Sequence, residues 1–509
     1  LPGAPDRTGG NAAVMKQYMI RNRKEKNMEQ RHRHFIAVLG TNFYTDCVYQ
    51  VKEEGFSYKT PYAQLAVLKH VMPDAAEGDR ITILLTERAE QENWLDRDYR
   101  ERELQILGDR GVLVRPGEKK TGFRKILQEE YPQIPAETVR IREGRNREEL
   151  DEIFEKMYEA VQPGETIYFD ITHGLRNIPM QVLTVIHYAR ALKEIKVGGI
   201  YYGAFEIGEN GADGLRYVDL LDMSMCSRLL DWTSAAESFV KGGSSSQIRE
   251  LKESGQGVSE LEREALKSLH DLTGCLNACK GKSNASPDKS IRKAYEDFRM
   301  HYDRLCESHT GISEAPLLRL FQRIESDLDV FRQSLYFIKD GRKITLNCTA
   351  TGMAAVDWAI RKNLTQLGFT ALKETIVTCM CERYEVPAED QTVRNTTVWS
   401  ILRDMAAQYE ALERRGETRM DRKWFCDHKL MTTPYRAELT GMIMELPEEL
   451  LRVTARIMRL RDAMNDFGFS ENEKENEVAG WQELQEQLRD FYEILKEILR
   501  GQGVTFENV

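Results

Sequence analysis

Hydrophobic patterning divides the chain into two textures. Over residues 34 to 222, short apolar, β-prone runs alternate with stretches whose apolar positions recur every three or four residues. HFIAVLGT (34–41) reads as a first strand whose end carries Thr41 and Asn42. A helix is predicted over 61–72, with Leu65, Val67, Leu68 and Val71 apolar, and then a strand over 81–85 capped by Thr86 and Glu87. The same reading gives a helix over 89–107, a strand over 111–114, a helix over 122–130 and a short strand over 139–141. Residues 147–160 place Leu150, Ile153, Phe154 and Met157 on one helical face. Pro163 and Gly164 end that helix, and a strand through Ile167 and Phe169 runs into Asp170. A helix over 179–192 and a strand over 197–205 complete the series. Strands alternating with helices predict an α/β, Rossmann-like domain with a mostly parallel, doubly wound sheet.

Beyond residue 223 the pattern is helical. KGGSSSQ (241–247) is a flexible breaker. Helices are predicted over 258–280, 287–309, 315–338, 352–383, 395–414, 447–465 and 477–499, with ENEKENE (471–477) as a solvated loop. The expected organisation is a tail over 1–33, an α/β domain over 34–240 and a helical domain over 241–509. Residues 241–350 form an insertion or linker region within the last.

The densest chemistry lies in ETIYFDITHGLRNIPM (165–180), a strand ending in a polar loop. Ligands bind beyond the carboxyl ends of strands in open α/β sheets. Gly174 permits close backbone approach, Arg176 offers a fork of donors to phosphate, and the following helix presents its first amides. Taken alone, Asp170, Thr172 and His173 are equally explained by loop hydrogen bonding and helix capping. No G-x-G-x-x-G fingerprint occurs, which counts against a dinucleotide cofactor.

Composition narrows the class. The net charge of −10 disfavours indiscriminate coating of nucleic acid, although 72 Lys and Arg residues leave room for a local basic site. No apolar run reaches the roughly 18 residues of a membrane span, and the basic N-terminal stretch has no apolar region after it, so neither a membrane partner nor a secretory signal is expected. Nine cysteines in helix-like or core-like settings point to a reducing cytoplasm. Cys379, Cys381, Cys426 and His428 follow no common zinc spacing, and no metal site is expected.

Six segments in order, LGTNFYTDCVY (39–49), LLTERAEQENW (84–94), IREGRNREELDEIF (141–154), DITHGLRNIPM (170–180), IYYGAFE (200–206) and LLDW (229–232), resemble the CRISPR-associated sensor family with the Asp-x-Thr-His-Gly motif, the CARF proteins. The resemblance implies a homodimer, with scope for further assembly, that binds a cyclic oligoadenylate as an allosteric ligand. Cyclic tetra-adenylate comes first and the hexamer next, and no cofactor is implied. It assigns ligand contact to Thr41, Asn42, Thr86, Glu87, Thr172, His173, Gly174, Arg176 and Asn177, with Asp170 fixing the loop.

The usual partner of that sensor is an all-α HEPN ribonuclease domain acting on single-stranded RNA, and the helical half resembles it more loosely. MAAVDWAIRKNLTQLGFTALKETI (353–376) looks like its long helix. LLRVTARIMRLRDAMNDFGF (450–469) occupies the place of its Arg-x4-6-His motif. There Arg461 and Asp462 are present, but Asp466 stands where the family has histidine. An ionised carboxylate serves as a base but not readily as an acid, and it repels phosphate. Weak or absent cleavage is therefore expected, and the alternative is a sensor or ring nuclease with a non-catalytic helical half. Arg304 with His309, and Arg422 with His428, match the spacing in the wrong setting and read as solvated faces.

Overall fold

The longer strands of the first half run five to eight residues, and the central ones are almost wholly apolar. The computed structural model describes residues 32–174, 176–254, 258–281, 289–308, 315–417, 419–465 and 480–508. They divide into two compact units, Leu1–Arg228 and Leu229–Val509.

The first unit contains β1 (Arg33–Leu39), β2 (Cys47–Val51), β3 (Phe56–Thr60), β4 (Arg80–Leu85), the short pair β5 (Arg97–Asp98) and β6 (Lys119–Lys120), β7 (Ala136–Arg140), β8 (Thr166–Asp170), β9 (Lys196–Gly203), β10 (Glu209–Asn210) and β11 (Arg216–Asp222). The main sheet has the order β3-β2-β11-β9-β8-β1-β4-β7, with β10 on β11. Pairings among β9, β8, β1, β4 and β7 are all parallel. The edge built from β11, β2 and β3 adds antiparallel pairings. The central strands are buried on both faces, as the continuous apolar runs require. Their amino ends are pinned by His34, fully buried, whose ring nitrogens lie 2.9 Å from Glu165 Oε2 and 2.7 Å from Thr82 Oγ1.

Several local expectations change. Residues 111–114 form no strand: Leu113 stands 94% exposed, and no neighbouring strand covers it. The helix expected over 89–107 is broken, with a widened turn at Glu90–Trp94 and a separate helix at Glu101–Asp109. The hairpin β2–β3 and the strand β11 were not expected as elements.

The second unit is mainly helical, yet it is not all-α. β12 (Gln333–Lys339), β13 (Arg342–Thr345) and β14 (Thr505–Asn508) form an antiparallel sheet in the order β13-β12-β14. The helix predicted over 315–338 stops at Asp327, and the chain re-enters as β12. Asp340 and Gly341, both at positive φ, make the two-residue turn to β13. The long helix predicted over 352–383 is two, Asn347–Arg361 and Thr365–Arg383, separated at Asn363 with φ 56°. Around them lies a core that includes Met353, Phe369, Leu372, Ile376 and Phe491.

Candidate functional site at the carboxyl edge of the sheet

Three parallel strands lie side by side in the order β8, β1, β4, with Ala37 level with Asp170 and Leu39 level with Leu85. That register brings the segments after each strand to one edge. From β1 the chain builds β4 and β7 on one side and β8 and β9 on the other. The β8–β1 boundary is therefore a topological switch point, where diverging loops leave a crevice.

Asp170 ends β8 with no exposed surface. Its Oδ1 accepts from the Thr172 amide at 3.0 Å and from the Thr172 hydroxyl, which itself accepts from the Gly203 amide at 2.8 Å. Thr172 is thus held by the protein on both sides. Asp170 Oδ2 is buried without a partner among the described residues, and burial pushes this carboxyl up to about 6. The next side chain, His173, stacks on Tyr44 with ring centroids 4.4 Å apart. Its Nε2 is buried without a partner among the described residues, and burial pushes the ring's pKa down to about 4, so it is neutral at physiological pH. The Tyr44 hydroxyl accepts from the Gly40 amide at 2.9 Å.

Gly174 has φ +144°, and a Cβ there would lie 3.0 Å from Val38 Cγ1, so glycine is required. Arg176 is exposed at the start of the helix Asn177–Lys193, and Asn177 Nδ2 is buried without a partner among the described residues. Chemically this edge offers one exposed guanidinium, helix amides, a neutral imidazole and a free carboxamide donor, a set suited to phosphate and heterocycle together.

The loop after β1 is held from below by residues that sequence reasoning did not single out. Asn93, fully buried, donates from Nδ2 to the Gly40 carbonyl at 2.7 Å and to the Asn42 carbonyl at 2.9 Å. The buried Lys120 ammonium donates to Asn93 Oδ1 and to the Glu92 carbonyl, the latter at 2.9 Å. Burial pushes this amine down to about 8. The available signal was an asparagine directly before the core residue Trp94, in a stretch read as plain helix.

Thr86 and Glu87 belong to a different wall. Thr86 Oγ1 accepts from the Ala89 amide at 3.2 Å, capping a single helical turn, and Glu87 is exposed. Both line a cavity of about 670 Å³ that also takes in Arg88, Arg140, Arg142, Arg145 and Lys156. Its walls do not include Thr41, Asn42, Thr172, His173, Gly174, Arg176 or Asn177. Thr41 is half-buried and Asn42 exposed, both on the β1 loop.

In the second unit, Arg461 and Asp462 lie near the end of the helix Glu448–Asn465, while Asp466 falls outside the described residues, as does His309. The helix's other arginines are engaged. Arg452 donates to Glu413 and, at 3.2 Å, to the Tyr409 hydroxyl; Arg459 pairs with Glu410 at 2.6 Å; Arg456 lies over the Phe491 ring. Arg461 is half-buried, and its Nε is buried without a partner among the described residues. Asp462 is exposed. Arg422 donates to the carbonyls of Ile443, Met444 and Leu446, which commits its fork to structure, and Arg304 is exposed. Burial pushes Cys379 and Cys381 up to about 12 and about 11. Among the described residues no group of three His, Cys, Asp or Glu side chains is placed to hold a metal, and no helix is long and apolar enough to cross a membrane.

Residues 34–206 match the family model described as CRISPR system endoribonuclease Csx1, CARF domain. They form a CARF-type domain. That CARF-type domain contains every ligand residue named from the sequence, together with Asn93 and Lys120. The chain is also 22% identical over 251 residues to the CRISPR-associated protein MJ1674 of Methanocaldococcus jannaschii, covering 49% of this chain; it spans about a third (34%) of that relative's length. A solved structure of Enterococcus italicus Csm6 bound to cyclic hexa-2′-fluoro-hexa-dAMP aligns over 92% of this chain and 95% of its own, at 10% identity and a TM-score of 0.39.

Proposed function

We propose that the chain is an ancillary effector of type III CRISPR defence, a cytoplasmic homodimer in which a cyclic oligoadenylate on the CARF-type domains promotes cleavage of single-stranded RNA by a HEPN-like helical unit. The observation that carries the sensor reading is the meeting of the β8 and β1 loops at a switch point, with Gly174 open to close approach and Arg176 exposed. Met180 and Leu192, 75% and 57% exposed on the helix Asn177–Lys193, are apolar side chains available for contact with a second copy. The half-buried guanidinium of Arg461, with its Nε unpartnered among the described residues, supports a phosphate-facing role.

Asp466 in place of histidine makes cleavage weak or absent in this chain. That substitution favours a second reading, in which the protein is a sensor or ring nuclease and its helical unit is non-catalytic. Thermal denaturation with cyclic tetra-adenylate and cyclic hexa-adenylate tests the sensor: a rise in Tm that is lost in Arg176→Ala is expected, and no shift with any ring size overturns it. RNA cleavage tests the effector, with activity lost in Arg461→Ala and raised in Asp466→His. Linear fragments of the cyclic ligand would establish the ring nuclease.

A further inference from the structure

The short helix Arg422–Lys429 carries an exposed aromatic pair. Trp424, 46% exposed, stacks on His428 with ring centroids 4.6 Å apart and planes 18° apart. His428 Nδ1 lies 2.9 Å from the Trp424 carbonyl, which only accepts, so Nδ1 carries a hydrogen and donates it there. The stack is therefore held in one orientation.

Its surroundings are basic. Residues 414–436 hold seven Arg and Lys against three Asp and Glu, a local charge of +4 in a chain of −10. Arg415, Arg419, Lys423 and Arg436 are exposed and make no ion pair among the described residues. Two of the seven cations of that stretch are neutralised from outside it, Arg414 by Glu410 and Lys429 by Asp404. An i, i+4 aromatic pair stabilises a helix only weakly, which accounts for the stack but not for unpaired cations around it.

We infer that Trp424 and His428 form a stacking platform for a base of single-stranded nucleic acid, whose phosphates are met by Arg415, Arg419 and Lys423. Stacking on an aromatic face is tolerant of base identity, and flexible cations track the backbone. The class of ligand follows from this chemistry and coincides with the single-stranded RNA of the proposed function, on which the biological role rests.

The test is fluorescence anisotropy of the full chain with a labelled 2′-O-methyl oligonucleotide of about ten nucleotides, which cannot be cut through a 2′-hydroxyl. Trp424→Ala is expected to weaken binding by roughly tenfold, with Tm unchanged because the indole is surface-exposed. Trp424→Tyr retains most of the affinity. Arg415→Glu with Arg419→Glu weakens it further and lowers the salt slope by about one for each phosphate no longer neutralised. Trp481→Ala, at a residue 67% exposed on another helix, leaves it unchanged.

The inference is overturned if the wild type does not bind at low salt, if Trp424→Ala binds like the wild type, or if Trp424→Ala instead changes the mass of the assembled protein. A protein that binds through Trp424 but never cuts RNA leaves the platform standing and removes the ribonuclease reading. One that cuts RNA and is indifferent to Trp424→Ala does the reverse.

Discussion

Asp170 and His173 stand three residues apart, and burial moves their titrations in opposite senses, to about 6 and about 4. Folded Asp170 holds its proton more tightly than the unfolded chain does, so its contribution to stability is present below about pH 4 and is lost as pH rises through about 6. The loss is on the order of 3 kcal/mol. Folded His173 holds its proton less tightly, so its contribution is present above about 6.5 and is lost as pH falls through about 4. Across that window the two slopes oppose each other. Asp170→Asn is expected to gain stability relative to wild type as pH rises from 4 to 6, and His173→Gln to gain relative to wild type as pH falls over the same range. Denaturant titrations at several pH values check both, and parallel curves for variant and wild type would refute the assignment. None of this was legible in the sequence, because pairing, burial and the environment of Asp170 Oδ2 depend on the strands around it. What was legible was that Asp170 secures the loop, since a carboxylate at its start would repel a phosphate and is suited to loop hydrogen bonding.

Elements were legible where pattern and punctuation agreed. The ends of β1, β4 and β8 were recognisable from apolar runs stopping at Gly40, Thr86 and Asp170; the first and last place the switch-point loops, and the β4 end lines a separate cavity. Gly174 illustrates the constraint on the last of these loops. Gly174→Ala is expected to cost about 1–3 kcal/mol, through both the positive φ and the Val38 contact, and to reduce the ligand-induced rise in Tm; an unchanged rise would show that the loop tolerates a Cβ. Helix breaks were less legible. Asn363 interrupts an apolar pattern that continues across it, because left-handed asparagine leaves hydrophobic periodicity nearly intact. Asn363→Gly is expected to be neutral or slightly stabilising and Asn363→Ala to lose about 1 kcal/mol, as read from urea midpoints. Asp340-Gly341 was a readable hairpin signal that the surrounding helical texture obscured. Residues 111–114 fail as a strand because a β-prone run needs a neighbour to pair with, which no local pattern reveals.

For the whole molecule, the change from alternating to helical texture near residue 223 was visible, and the structure divides inside the helix Ser224–Gly242. The small sheet of the second unit was not visible, because β14 comes from the far end of the chain and pairs across a long separation with β12. A ligand on the carboxyl edge of the first sheet is expected to slow hydrogen exchange in residues 40–45, 86–94 and 171–177 of the full chain. At about a hundred times its Kd it adds about 2.7 kcal/mol to the stability of the unit that binds it. Protection confined to residues 229–509, measured on peptides by mass spectrometry, would move the site elsewhere.

The Asn93 carboxamide spends both hydrogens on the β1 loop and leans on Lys120, a residue of the β5–β6 pair that lies outside the main sheet. The shape of the β1 loop is therefore set in part by a residue of a separate two-stranded sheet. On the proposed sensor reading, the ligand concentration at which half the molecules respond would be adjustable by changing what stands behind Asn93, while the side chains of the loop itself keep their identity.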